Sequence, residues 1–259
     1  MPPIALTIAG SDPSGGAGLQ ADLKTFHQHG VYGCSVVTLL TVQNTQTVAD
    51  VRVLEPAFVE AQLDAVISDL PPTAAKTGAL GSAAVIEAVA ARAAEFDFPL
   101  IVDPVMVSKH GQPLIDTKAS RVLRDTLLPR AYLVTPNVKE AEALTGRLPT
   151  DEASLIAAAR RIQDLGAQNV LIKAGHFQHD AMDVLLVEDE VICLRNDSIA
   201  TRSTHGTGCV LSAAISACLA RGESLIDAVS GAKAFVTEAI RTAPPIGNGY
   251  GPTNMLVQP

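Results

Sequence analysis

The chain has 259 residues, 47% of them hydrophobic but only 3% aromatic, which suits a sizeable core of Ala, Val, Leu and Ile. Its formal net charge of −8 argues against nucleic acid as the main partner, because phosphate backbones need a basic face. Small anions held by local donors stay open.

Residues 4–9 form a short apolar run that reads as a buried strand. The run lacks the basic flank and length of a signal peptide, and no stretch approaches a membrane span, so a cytoplasmic protein is expected. A glycine-rich loop, 10–18, leads into a helix over 19–29 with Leu19, Leu23 and Phe26 on one face. Such a loop between strand and helix is where ligands bind in open α/β sheets. Gly16-Ala-Gly-Leu-Gln-Ala21 also matches a dinucleotide fingerprint. The match is discounted: the preceding strand ends about six residues too early, and the next offers no acid for a ribose.

The second strand is 34–41, with Gln43 and Asn44 just beyond it. Asn44 reads as a turn-maker, and Gln43 stands where a ligand-facing amide would be useful. A short strand over 51–54 and a helix over 56–70 follow. Ala74–Thr77 is a strand leading to Gly78, 82–96 a helix, and 100–103 a strand ending in Asp103-Pro104. Residues 105–113 read as a polar flap containing Ser108, Lys109, His110 and Gly111. Asp103 could bind magnesium, directly or through water, although taken alone it reads first as a turn cap.

Residues 118–128 are helical and 132–135 a strand. Asn137 and Glu140 then have the spacing of a capping box, which competes with a metal or phosphate role. A helix over 151–165 precedes a strand over 169–174, near whose end stands Lys173, placed for a phosphate or for solvent. Residues 182–187 and 191–194 form an antiparallel hairpin.

The stretch 203–220 draws most attention. Gly206 and Gly208 open a helix whose apolar stripe is Leu211, Ala214, Ile215, Cys218 and Leu219. The first amides of such a helix are an anion site. Cys209 lies in that first turn, where a thiol pKa is expected to fall toward the thiolate. The same residues also suit a tight turn with a small buried cysteine. The four cysteines show no metal-ligand spacing and read as reduced thiols. A helix over 224–241 and a glycine-rich turn over 247–251 complete the chain.

Strand and helix alternate without repeat or linker, which predicts one α/β domain over 1–259 with a mostly parallel sheet. Asp103, Asn137, Glu140 and Lys173 all fall at or near the C-terminal ends of predicted strands, which share one edge in such a sheet.

The motifs at 9–22 (Ala-Gly-Ser-Asp-Pro-Ser-Gly-Gly-Ala-Gly-Leu-Gln-Ala-Asp), 42–45 (Val-Gln-Asn-Thr), 103–107 (Asp-Pro-Val-Met-Val), 135–141 (Thr-Pro-Asn-x-x-Glu-Ala) and 204–209 (Thr-His-Gly-Thr-Gly-Cys) go further. Together they resemble the hydroxymethylpyrimidine/phosphomethylpyrimidine kinases of thiamine biosynthesis, in the ribokinase-like superfamily. The resemblance runs nearly end to end. It implies a three-layer α/β/α sandwich with a small flap over the site, usually dimeric. It implies phosphoryl transfer from ATP to 4-amino-5-hydroxymethyl-2-methylpyrimidine and then to its monophosphate, with Mg2+ and, in some relatives, a monovalent cation.

By matching position, Asp22 and Gln43 would bond the pyrimidine, with Val105 and Gly10 against it. Asp103 and Glu140 would organise magnesium, supported by Asn137. Lys173, Asn137 and Thr207 would meet ATP, and Gly206, Thr207, Gly208 and Cys209 would form the anion hole, with Cys209 as base. His110, His176 and His205 stay open as loop or ligand residues. Ala79 stands where some relatives have methionine.

Pyridoxal kinase on the same fold is the alternative. Cysteine-using pyridoxal kinases carry a second flap cysteine, and this chain has Ser108 there. A nicotinamide-dependent oxidoreductase and a non-catalytic regulator are disfavoured, respectively by the missing ribose acid and by the retained magnesium, lysine and cysteine positions.

Overall fold

The computed structural model describes residues 2–108, 111–175, 180–197 and 199–259. The flap residues Lys109 and His110, and His176, lie outside them. The strands are β1 (Ile4–Ser11), β2 (Tyr32–Gln43), β3 (Val48–Val53), β4 (Ala74–Thr77), β5 (Leu100–Val102), β6 (Leu133–Val134), β7 (Asn169–Lys173), β8 (Asp180–Val187) and β9 (Glu190–Asp197). They form one sheet in the order β3-β2-β1-β4-β5-β6-β7-β8-β9. The central six run parallel, and β3, β8 and β9 are antiparallel additions at the two edges.

The helices are α1 (Gly18–Gln28), α2 (Pro56–Asp69), α3 (Ala83–Ala93), α4 (Thr117–Val122), α5 (Val138–Thr145), α6 (Glu152–Asp164), α7 (Thr207–Ala220) and α8 (Leu225–Arg241). The central strands β1 and β4–β7 are buried on both faces, as a parallel sheet covered by helices requires. In β1, Leu6 and Ile8 join the core under α2–α6, while Ala5 joins the core under α1, α7 and α8. The result is the expected α/β/α sandwich. Among the described residues no helix is long and apolar enough to cross a membrane.

Three elements differ from the sequence expectation. The helix expected over 118–128 is α4 followed by a π turn (Leu123–Leu127) and a 3-10 turn (Leu128–Arg130). Pro129, which has no N–H, stops regular winding there. The strand expected over 51–54 begins at Val48, because Asn44 Oδ1 accepts from the N–H groups of Gln46 and Thr47 and folds a tight hairpin. The single apolar stripe expected on α7 is buried all round from Val210 to Ala220, since α1 and α8 flank it on the sheet.

A charged pair lies inside this sandwich. Lys76 pairs with Thr7 across β4 and β1, on the α1 side of the sheet. Its Nζ lies 3.1 and 3.0 Å from the two oxygens of Asp22 on α1, and Thr7 Oγ1 donates to Asp22 Oδ2 at 2.6 Å. Neither charged side chain has any exposed surface. Burial works against the ammonium, but the Asp22 carboxylate overrides it and holds the lysine above its ordinary pKa.

Removing one partner strands the other charge without water. Lys76→Met is expected to lower the unfolding free energy by about 3–5 kcal/mol. Adding Asp22→Leu should recover most of that loss. Urea denaturation checks both, and an unaltered midpoint in the single variant would contradict the pairing.

Candidate active site

The strand order lays a row of residues along the C-terminal edge of the parallel sheet. From β2 to β8 the row runs Gln43, Gly10, Gly78, Asp103, Asn137, Lys173 and Asp183, and all line one cleft of about 940 Å³. This is where an open α/β sheet binds its ligands.

Gly206 caps α7 in the left-handed region, at φ 77°. A Cβ there would run into the Gly16 carbonyl oxygen, and one at Gly18 into that of Gly10. Only glycines let three backbone segments meet at this point. The glycines at 16–18 therefore serve close backbone approach, in keeping with their rejection as a dinucleotide fingerprint. No side chain among the described residues caps α7. Gly206, Thr207, Gly208 and Cys209 at this helix start line the cleft, with the positive end of the helix dipole behind them, and the Thr207 N–H donates to the Thr204 carbonyl oxygen.

Two charges from the sheet face that mouth. Lys173 Nζ lies 2.9 Å from Asp103 Oδ1, which Thr135 Oγ1 also approaches at 3.3 Å. A Cβ at Gly208 would stand 3.1 Å from Lys173 Nζ and 3.6 Å from Asp103 Oδ2. Burial pulls the Lys173 ammonium down, and Asp103 and Glu140 more than compensate, so it stays charged. Glu140 is pushed up to about 7, first by burial and further by Asp103, against the pull of Lys173.

The capping box expected at 137–140 is present. Asn137 Oδ1 accepts from Lys139 and Glu140 N–H, and Glu140 Oε2 accepts from Asn137 N–H. The Asn137 carbonyl is therefore committed to α5, leaving its NH2 for the cleft.

Asp22, expected at the pyrimidine, holds Lys76 within the sandwich and has no exposed surface. The Cys209 thiol does not show the expected fall in pKa. Burial pushes it up to about 11, with Asp22 and Asp103 adding to the rise, against the pull of Lys76 and a Gly18 N–H bond. Burial in apolar surroundings raises a thiol pKa, and here it outweighs the Lys76 cation. Val105, Gly10 and Ala79 line the cleft.

Sequence reasoning missed two pairs. His205, left open above, is a buried partner of Asp12, with Nε2 2.8 Å from Oδ2. An Asx-type turn in Asp12-Pro-Ser14 was legible, but its distant histidine was not. Asp183 on β8 pairs with Lys233 on α8 and accepts from Ala174 N–H. An acid inside an otherwise apolar strand was the available signal.

A family model described as "Phosphomethylpyrimidine kinase" matches residues 12–254. The chain belongs to this family. It is 51% identical over 252 residues to a hydroxymethylpyrimidine/phosphomethylpyrimidine kinase of Synechococcus elongatus, covering 96% of each chain. It is 50% identical over 254 residues to the thiamine biosynthesis bifunctional protein ThiED of Geobacter sulfurreducens. That match covers 97% of this chain but spans only about half of the bifunctional protein, 52%. Among solved structures, an ADP complex of Bacillus subtilis pyridoxal kinase superposes with a TM-score of 0.92 at 37% identity, covering 98% of each chain. The ribokinase-like architecture is thus that of the phosphomethylpyrimidine kinases and of the pyridoxal kinase alike.

A thiol with a pKa of about 11 carries little thiolate near neutrality. Cys209 is expected to react with iodoacetamide at pH 8 about a hundredfold more slowly than free cysteine. The rate should climb through pH 10, as followed by peptide mass mapping. An inflection below pH 8 would contradict the burial argument.

Proposed function

We propose that this chain moves the γ-phosphoryl group of ATP to the hydroxymethyl oxygen of 4-amino-5-hydroxymethyl-2-methylpyrimidine, and then phosphorylates the monophosphate. The observation that carries this reading is the convergence of Lys173 and Asp103 on the uncapped start of α7. Charge that spreads over a transferring phosphoryl group meets fixed donors there, in a site that needs no reorganisation.

The ring end of the cleft is the Gln43, Gly10 and Val105 end, and the nucleotide end lies toward Lys173, Asp183 and Lys233, with Val236 and Ile240 beside them. Asp103 and Glu140 are two carboxylates near one another, the number magnesium usually takes when it keeps its waters and nucleotide phosphates. Among the described residues no three potential ligands cluster to hold a metal alone, which suits an ion brought with the nucleotide. Magnesium would supply positive charge against the phosphate oxygens. Glu140, with its raised pKa, would lose its proton as that charge arrives.

A neutral Cys209 is not a base at rest. Its S–H is a weak donor at the anion hole, beside the stronger peptide donors. The substrate hydroxyl proton then leaves late, toward the transferred phosphoryl oxygens, as a loose transition state allows. Exposed Leu40 and Val42 on the β2–β3 hairpin support a homodimer as part of the same reading.

The second reading is pyridoxal phosphorylation, favoured by the Bacillus subtilis neighbour at 37% identity. The roughly 50% identity to hydroxymethylpyrimidine kinases, and Ser108 in the flap, weigh toward the pyrimidine.

ATP consumption with each alcohol, followed by mass, tests the choice. Pyrimidine monophosphate and then diphosphate are expected, with pyridoxal slower. Faster turnover of pyridoxal would reverse the assignment. For Cys209→Ala, a donor role predicts a loss of about ten- to a hundredfold in both steps, below that of a principal oxyanion donor. Cys209→Ser should retain more activity. Loss confined to the first step would restore the base role.

A further inference from the structure

Asp12, His205 and Gln43 join the glycine loop, the loop before α7 and the end of β2. The carboxylate of Asp12 is saturated with donors. Oδ1 accepts from Ser14 N–H at 2.8 Å and from Ser14 Oγ at 2.7 Å, and Oδ2 accepts from Ala17 N–H at 2.9 Å. His205 Nε2 approaches Oδ2 at 2.8 Å. Burial would raise the Asp12 pKa, but the bonds from His205 and Ser14 hold it below the usual carboxylate value. The carboxylate thus has no proton to share, and His205 Nε2 carries the hydrogen between them.

The imidazole has no freedom to turn away. It is 3% exposed, its backbone N–H donates to Gly251 carbonyl oxygen, and a Cβ at Gly16 would stand 2.7 Å from its Cδ2. The Gln43 amide nitrogen lies 3.2 Å from the same Nε2. Two donors cannot share one hydrogen-bond contact, and a half-turn of an amide exchanges nitrogen and oxygen in the same volume. The amide oxygen therefore belongs beside His205, where it shares the single Nε2 hydrogen with Asp12 Oδ2 in a three-centre bond, and the NH2 group lies on the cleft side.

We propose that Asp12 and His205 are positioning residues that lock this orientation of Gln43, so that the ring end of the cleft reads a hydrogen-bond acceptor. In an aminopyrimidine that acceptor is a ring nitrogen, not the exocyclic amino group, which is a donor. The pair thereby sets ring specificity without touching the ring. The inference rests on the pyrimidine reading above and deepens it.

Three analogues of the pyrimidine alcohol test it: two in which one ring nitrogen is replaced by C–H, and one without the amino group. With the wild-type protein, one of the C–H analogues should lose about ten- to a hundredfold in kcat/KM, because the Gln43 donor is left unpaired. His205→Leu should erase most of that discrimination while leaving the penalty for removing the amino group unaltered. His205→Gln, which keeps a donor for both Asp12 and the amide oxygen, should restore it. A merely structural histidine would not move that ratio.

If His205→Leu fails to fold, the wild-type analogue series and Gln43→Glu, which removes the donor in the same shape, decide the matter. Equal turnover of both C–H analogues and the parent, or full activity in Gln43→Glu, overturns the inference alone. No turnover of the parent alcohol by wild type overturns the functional reading and this inference with it.

Discussion

The left-handed turn at Gly206 is the constraint on which the site depends. It lets the backbone before α7 touch the backbone of the glycine loop, and so aims an uncapped helix start along the ends of the parallel strands. A side chain at 206 would push those loops apart. The helix start at Gly208 would then no longer face Lys173 and Asp103, which arrive from the ends of the central strands.

Placement also explains how a chain with net charge −8 can serve anionic substrates. The cleft does not rely on a long-range basic field. It relies on peptide dipoles and on Lys173, kept charged by neighbouring carboxylates in spite of burial. Beneath it, Lys76 and Asp22 place a second ammonium inside the sandwich, where only a matched partner makes burial tolerable. The raised thiol of Cys209 and raised carboxyl of Glu140 both follow first from burial. A site that strengthens donors by excluding water also makes unpaired anions costly.

Much of this was legible in the residues. The apolar runs at 4–9 and 100–103 and the helix over 151–165 needed only periodicity, because their environments are uniform along their length. Asp103, Glu140 and Lys173 were placed at the site because strand ends in a parallel sheet share an edge. The misses have a common physical origin. Whether Asp22 faces ligand or Lys76 depends on which side of α1 meets β4, a tertiary fact that motif spacing does not carry. Whether a helix-start thiol is activated depends on how far burial outweighs the charges around it, which tertiary packing sets. The bonds of His205 to Asp12 and of Lys233 to Asp183 span 193 and 50 residues. No local pattern announces contacts of that range.

The most direct test of the convergent site is a crystal structure with ADP, magnesium, aluminium fluoride and the pyrimidine alcohol. The planar fluoride stands for the phosphoryl group in flight. It should sit at the start of α7, within hydrogen-bond distance of the amides of Gly208 and Cys209 and of Lys173 Nζ, with the alcohol oxygen on its far side. A fluoride bound away from that helix start, with Lys173 still turned to Asp103 alone, would contradict the account.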